Sequence, residues 1–150
     1  MYTHILHATD LSDDHFDMCQ QAADIARCFQ AKLFLLHVIE PPPSLQLAQG
    51  LGFAEFDHPI KDDAIAVMRV LGEALHIPES QQFVEIGSIK MQVIQKIKEL
   101  ACQLIIIGSH TPSKLPAFLG STAHAVAHHA PCDVLTLRTE HNMITNQHNI

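Results

Sequence analysis

Two stretches of this chain, Lys32-Leu33-Phe34-Leu35-Leu36-His37-Val38-Ile39 and Leu104-Ile105-Ile106-Ile107, are apolar at nearly every position over the length of a strand. A strand with one wet face alternates polar and apolar side chains, so a near-continuous apolar run has to be covered on both faces. A parallel sheet between two layers of helices meets that demand, and the segments between the runs must then supply the helices.

They do. His4 to Thr9 is a short, largely apolar strand that ends at Asp10-Leu11-Ser12, where Asp or Ser can cap a helix. From Asp13 to Phe29 the residues Phe16, Cys19, Ala23, Ile25 and Ala26 recur near helical spacing, with Asp13 and Asp14 at the positive end of the dipole. Pro41-Pro42-Pro43 ends the second strand, and 41–58, with Gly50 and Gly52 and no sustained period, reads as a long connection. Ile60, Ala64, Val67, Met68 and Leu71 predict a helix to Leu75 that Pro78 closes. Gln82 to Ile86 alternates with period two as far as Gly87, and Met91, Ile94, Ile97 and Leu100 predict a further helix, with Met68 and Met91 assigned to the core. Gly108 ends the Leu104 strand, Gly120-Ser121-Thr122 opens a helix to His129, and Cys132 to Leu137 is the last strand. Residues 139–150 read as a polar, flexible tail.

Five strands alternating with four helices predict a single Rossmann-like α/β domain over 1–138. It is a doubly wound five-stranded parallel sheet of order 3-2-1-4-5 with helices on both faces. Ligands bind such sheets at the carboxyl ends of the strands where the order reverses, which places Thr9-Asp10 beside Ile107-Gly108.

Composition narrows the partners. At 150 residues, 47% hydrophobic and 17% charged, the chain is neither disordered nor larger than one core. No apolar run reaches the roughly 18 residues of a membrane span. A net charge of −7 with nine scattered Lys and Arg argues against a nucleic-acid partner. Met1 to Leu6 lacks the charged and long apolar regions of a signal peptide, so the expected location is the cytoplasm. Cys19, Cys28, Cys102 and Cys132 show no C-x-x-C pair and are expected to be free and mostly buried.

Twelve histidines are the unusual count, and full protonation would carry the chain past zero to a net positive charge. His4, His7 and His37, on or beside strands, are expected to be packed and hydrogen-bonded. His124 and His128 stand four apart, the spacing of zinc pairs, although Ala125 occupies the position where a metalloprotease helix carries Glu. A solvated helix face and a metal-binding protein are the two readings of that pair. No Gly-x-Ser-x-Gly elbow or P-loop occurs, so efficient catalysis is not expected, slow ATP hydrolysis at Asp10 and His110 being the exception.

Ala8-Thr9-Asp10-Leu11-Ser12, Leu36-His37-Val38-Ile39 and Ile105-Ile106-Ile107-Gly108-Ser109-His110 are followed by Gly120-Ser121-Thr122 and His129-Ala130-Pro131-Cys132. With these segments in this order, the chain resembles the universal stress protein family over residues 3–138. The resemblance implies a cytoplasmic stress-response binding protein and a homodimer formed through the last strand, about Asp133 to Arg138. In one branch it also implies ATP or another adenine nucleotide, with magnesium. Carried over residue by residue, it puts Asp10 and the backbone of Ala8 and Val38 around adenine and ribose and Gly108, Ser109, Gly120, Ser121 and Thr122 at the phosphates, with charge from His110 and Lys114; Thr9 and Ile107 complete the implied nucleotide-binding set.

That branch carries Gly-x2-Gly-x9-Gly-Ser/Thr. Here Gly108 and Gly120-Ser121 keep both ends, and a Gly-Ser at a helix start offers N–H groups to an anion. Thr111 stands at the second glycine, the loop is one residue short, and Pro112 and Pro116 each remove a donor. In this respect the chain is more similar to the branch of universal stress protein A, which does not keep the motif. Adenine-nucleotide binding and a nucleotide-independent dimeric interaction protein are both compatible with the residues.

Overall fold

The computed structural model describes residues 1–12, 15–52, 58–109 and 120–138, so Asp13, Asp14, the 110–119 connection with His110 and Lys114, and the 139–150 tail lie outside the described residues. The strands β1 (His4–Ala8), β2 (Lys32–Ile39), β3 (Gln82–Ile86), β4 (Leu104–Gly108) and β5 (Asp133–Leu137) form one sheet of order β3-β2-β1-β4-β5. Every neighbouring pair is parallel, and β1 lies in the middle, with Leu6 opposite Phe34 on one side and Ile105 on the other. The order is the one the alternation predicts.

The helices are α1 (His15–Cys28), α2 (Pro43–Gly50), α3 (His58–Leu75), α4 (Ile89–Glu99) and α5 (Ser121–His129). Alternation along the strands divides the core in two. Ile5, Leu33, Leu35, Leu104 and Ile106 face Cys19, Ala22, Ala23 and Ala26 of α1 and Met68, Leu71 and Leu75 of α3. Leu6, Phe34, Leu36, Ile105 and Ile107 face Val93 and Ile97 of α4 and Ala123 and Val126 of α5. Each such side chain, fully removed from water, contributes about 1.5–3 kcal/mol, so the apolar runs on β2 and β4 stabilise both layers at once.

Several expectations need correction. The 41–58 connection contains α2, which starts on Pro43 at a first-turn position where the missing N–H costs nothing. No residue of α2 is buried, so it carries no apolar stripe by which periodicity could find it. Phe16, Ile60 and Val67 are exposed, and Met91 is 69% exposed rather than core. Val93 and Ile97 define the buried face of α4, and Met91, two residues before Val93, points about 200° away from it. Of the cysteines, all free, Cys19 and Cys102 are buried, Cys132 is half-buried, and Cys28 at the end of α1 is exposed.

Two buried polar groups tie elements together. Lys96 of α4, its side chain 9% exposed, donates to Glu85 Oε1 and Glu99 Oε2 at 3.0 Å each and lies 4.5 Å from the Phe83 ring centroid. Burial opposes its charge, but the bonds to Glu99 and Glu85 outweigh burial and raise its pKa, which fastens α4 to edge strand β3. The strand histidines are packed as expected, and each uses the same atom. Nδ1 of His4 donates to the Leu100 carbonyl (2.8 Å), that of His7 to Ile106 (2.9 Å) and that of His37 to Thr9 (2.8 Å). A carbonyl only accepts, so Nδ1 carries the hydrogen and Nε2 of the neutral ring is an acceptor.

His7 is completely buried, and its Nε2 has no hydrogen-bond partner among the described residues. Burial pushes its pKa down to about 4, with His15 adding to the effect and the Ile106 bond and Asp10 opposing it. The unfolded chain protonates this ring near its ordinary value while the folded chain does not, so stability falls as pH drops from about 6.5 to about 4. The loss is about 3 kcal/mol by pH 4. Urea unfolding of the wild type across this window should show the decline, and His7→Leu should flatten it by about that amount; equal slopes in the two proteins would show that another group sets acid lability.

Candidate functional site

Ala8 at the end of β1 pairs with Ile107 of β4. The helix after β1, α1, packs on one face of the sheet, and the helix after β4, α5, packs on the other. Divergence of this kind leaves an opening beyond the strand ends that backbone does not fill. Here it is a crevice of about 450 Å³, within the range of small-molecule sites.

The turn after β1 forms one wall and is held locally. Leu11 has φ 55, a left-handed conformation uncommon for a non-glycine residue. Its N–H donates to Thr9 Oγ1 (3.2 Å), and the Ser12 N–H donates to Asp10 Oδ1 (2.9 Å). Thr9 is also tied to β2 on both sides of its peptide, donating from N to the Leu36 carbonyl (2.9 Å) and accepting at O from His37. The Leu11 side chain packs against the α1/α3 core, which offsets the backbone strain.

The bed of the crevice is apolar. Ala8, Leu36, Val38 and Ile107 present their α4/α5 faces, and Ile89, Val93 and Ala123 close over them. Asp10, His37, Glu40 and Thr122 supply the polar lining with Thr9. Gly108 and Met18 meet at the rim, where a Cβ on Gly108 would lie 2.6 Å from Met18 Sδ. At the opposite end α5 begins at its N-cap Gly120, which provides no side-chain cap, and the His124 N–H is bonded to the Gly120 carbonyl at 2.9 Å. The N–H groups of Ser121, Thr122 and Ala123 therefore have no acceptor within the helix and stand at its positive end.

The structure thus brings Ala8, Thr9, Asp10, Val38, Ile107, Gly108 and Thr122 to one crevice, with Gly120 and Ser121 on the helix start that carries Thr122. Ser109 is turned toward β5, its N–H (2.8 Å) and hydroxyl (3.2 Å) both donating to the Leu137 carbonyl. His110 lies outside the described residues. Sequence reasoning missed Met18, Leu36, Glu40, Ile89, Val93 and Ala123 and did not place His37 at the crevice. Strand alternation could have found Leu36, two residues before Val38, and the four-residue spacing of Ile89 and Val93 could have found the α4 wall.

Chemically the site can bed a flat apolar group, accept hydrogen bonds from hydroxyl or amino donors at Asp10 and Glu40, and receive an anion at the start of α5. Burial pushes the Cys19 thiol up to about 12, against a lowering bond with Thr9, so it stays protonated at neutral pH. Among the described residues, no group of three or more His, Cys, Asp or Glu is placed to hold a metal, and no helix is long and apolar enough to cross a membrane.

Comparison with known proteins agrees with this architecture. The family model for the universal stress protein family matches residues 1–138. Universal stress protein A homolog 1 of Coxiella burnetii is 33% identical over 141 residues, covering 91% of this chain and 96% of the relative. The structure of universal stress protein UspA from Lactobacillus plantarum superposes with a TM-score of 0.70 at 25% identity, covering 91% of this chain and 98% of that one. A universal stress protein crystallised in complex with cAMP shares the fold, with a TM-score of 0.64 at 19% identity, covering 91% and 97% of the two chains. With a family model spanning nearly all of its length and a curated relative matched end to end, the chain belongs to the universal stress protein family.

Proposed function

We propose that this protein is a cytoplasmic stress-response binding protein that holds an adenine nucleotide, ATP or a close relative, and does not turn it over efficiently. The observation that carries this reading is the crevice at the β1/β4 divergence, with an apolar bed between Asp10 and the unbonded N–H groups that open α5. That a universal stress protein of the same fold holds cAMP supports it. Adenine lies on Ala8, Val38 and Ile107, the Asp10 carboxylate accepts from ribose hydroxyls, and Gly108, Gly120, Ser121 and Thr122 face phosphate. His110 and Lys114, outside the described residues, supply charge at the phosphate end, whereas Ser109 is committed to the Leu137 carbonyl. Magnesium fits as a companion of the nucleotide, because it binds through one or two carboxylates together with substrate phosphates and needs no cage of protein ligands. Pro112 and Pro116 each remove a backbone donor from the connecting loop and Thr111 replaces a glycine that would let phosphate approach, so binding is weaker than a full glycine-rich cradle would give.

Calorimetric titration with ATP, AMP and cAMP tests the proposal. Saturable heat is expected, with Asp10→Ala weakening binding by about tenfold or more. No heat at millimolar nucleotide would overturn it in favour of a nucleotide-independent interaction protein.

The Gly108–Met18 contact makes a second test. Gly108→Ala should be tolerated, because the atom it meets is the end of a flexible side chain. Gly108→Val should narrow the crevice and cost about 1–3 kcal/mol in denaturant unfolding. Adding Met18→Ala should restore both stability and nucleotide affinity; failure of the rescue would place the strain elsewhere.

The same reading makes the protein a homodimer through β5. This strand has β4 on one side and is a sheet edge on the other, and Leu135 at its centre is 36% exposed. Such an edge is a liability unless covered, and a second copy of the strand covers it by continuing the sheet. Light scattering should give a dimer for the wild type and a monomer for Leu135→Lys; a wild-type monomer at micromolar concentration would refute the assembly.

A further inference from the structure

Helix α5 carries imidazoles that the crevice does not use. His124, His128 and His129 are all exposed. The His124 and His128 rings are nearly parallel, 7° between planes, with centroids 6.3 Å apart, and His129 meets His128 edge-on at 4.9 Å. Their state differs from that of the strand histidines. Nδ1 of His4, His7 and His37 is committed to a carbonyl, whereas among the described residues no hydrogen bond engages the ring nitrogens of His124 or His128. Both nitrogens of each ring are therefore available from solvent.

Residues four apart on a helix hold their Cβ atoms about 5–6 Å apart, and imidazole binds a divalent transition metal at about 2.0–2.1 Å. Two rings already parallel and separated by 6.3 Å can turn their nitrogens onto one ion by rotation about χ1 and χ2, without backbone movement. We propose that His124 and His128 form an open two-imidazole site for a borderline divalent transition ion, Cu²⁺, Ni²⁺ or Zn²⁺, with water in the remaining positions.

Two further features shape the site. His128 stands in the last turn of α5, where the negative end of the helix dipole favours a cation. His129 stands edge-on to His128 rather than parallel to it, so the ion is assigned to the parallel His124–His128 pair. Because no third protein ligand joins the pair among the described residues, the site is exchangeable rather than structural, and imidazole donors set its preference. Cu²⁺ binds tightest, with Ni²⁺ and Zn²⁺ behind it, while Mg²⁺ and Ca²⁺, which take oxygen ligands, do not compete.

The test is calorimetric titration of the full chain, free of any affinity tag, with CuCl2, NiCl2 and ZnCl2 in a non-coordinating buffer. One ion per chain at this site is expected, with His124→Gln and His128→Gln each weakening Cu²⁺ by on the order of tenfold or more. His141→Gln/His148→Gln, which alters the tail, should leave that binding unchanged. The Cu²⁺ resonance spectrum should show two nitrogen ligands in the wild type and one in either single variant. Binding that survives His124→Gln and His128→Gln, or no binding at millimolar ion, would overturn the assignment. Circular dichroism of these exposed-site variants separates loss of a ligand from loss of the helix.

Discussion

The whole arrangement depends on the burial of β1 and β4 from both sides. Ile5 and Leu6 are neighbours in sequence, yet one belongs to the α1/α3 layer and the other to the α4/α5 layer, and both are fully buried. Ile105 and Ile106 repeat the division on the adjacent strand. A strand in that position cannot lie at an edge or leave a wet face, because either would expose apolar area worth about 25 cal/mol per Å². The central strands thus force two helix layers, and two layers force the crossovers to leave the sheet on opposite sides.

The crevice follows from that divergence. With α1 on one face of the sheet and α5 on the other, the described residues leave a crevice at the ends of β1 and β4. What the chain adds is a means of keeping the opening shaped. Leu11 adopts a left-handed backbone, and the side chains of Thr9 and Asp10 accept the N–H groups that this conformation leaves unpaired. The turn is further fixed by His37 from β2 and by His15, whose Nδ1 donates to the Ser12 carbonyl. Preorganisation of this kind lowers the ordering cost of binding a ligand, since the wall beside Asp10 is set before the ligand arrives.

Histidine illustrates how one residue type takes different roles by placement. On the strands and their ends it acts as a staple, Nδ1 joining His7 of β1 to β4 and His4 to the carbonyl that ends α4. These contacts span 99 and 96 residues of sequence, so each reports a tertiary neighbour rather than a local turn. On α5 the same side chain is in water with its nitrogens unengaged. The high histidine count therefore has no single meaning. Burial holds the His7 ring well below its ordinary pKa, whereas the His124 and His128 rings stand in water.

Much was legible in the sequence because periodicity is a direct imprint of burial. Unbroken apolar runs identified the parallel strands, their alternation with helical stripes determined the order of elements, and the strand ends placed Thr9-Asp10 beside Ile107-Gly108. Sequence failed wherever the imprint was weak or the partner was distant. The helix α2 buries nothing and so left no stripe; Phe16, Ile60, Val67 and Met91 are apolar but face water, because which side of a helix meets the sheet is set by the packing of its neighbours. Met18 and Glu40 reach the crevice only once α1 and β2 are docked, and Lys96 becomes an inner cation only when Glu85, Glu99 and Phe83 surround it. The sequence by itself determined the class of fold and the end of the sheet where the crevice opens. Tertiary structure decided which side chains line that end, which histidines are buried and which are free, because these depend on contacts between segments whose local patterns carry no record of one another.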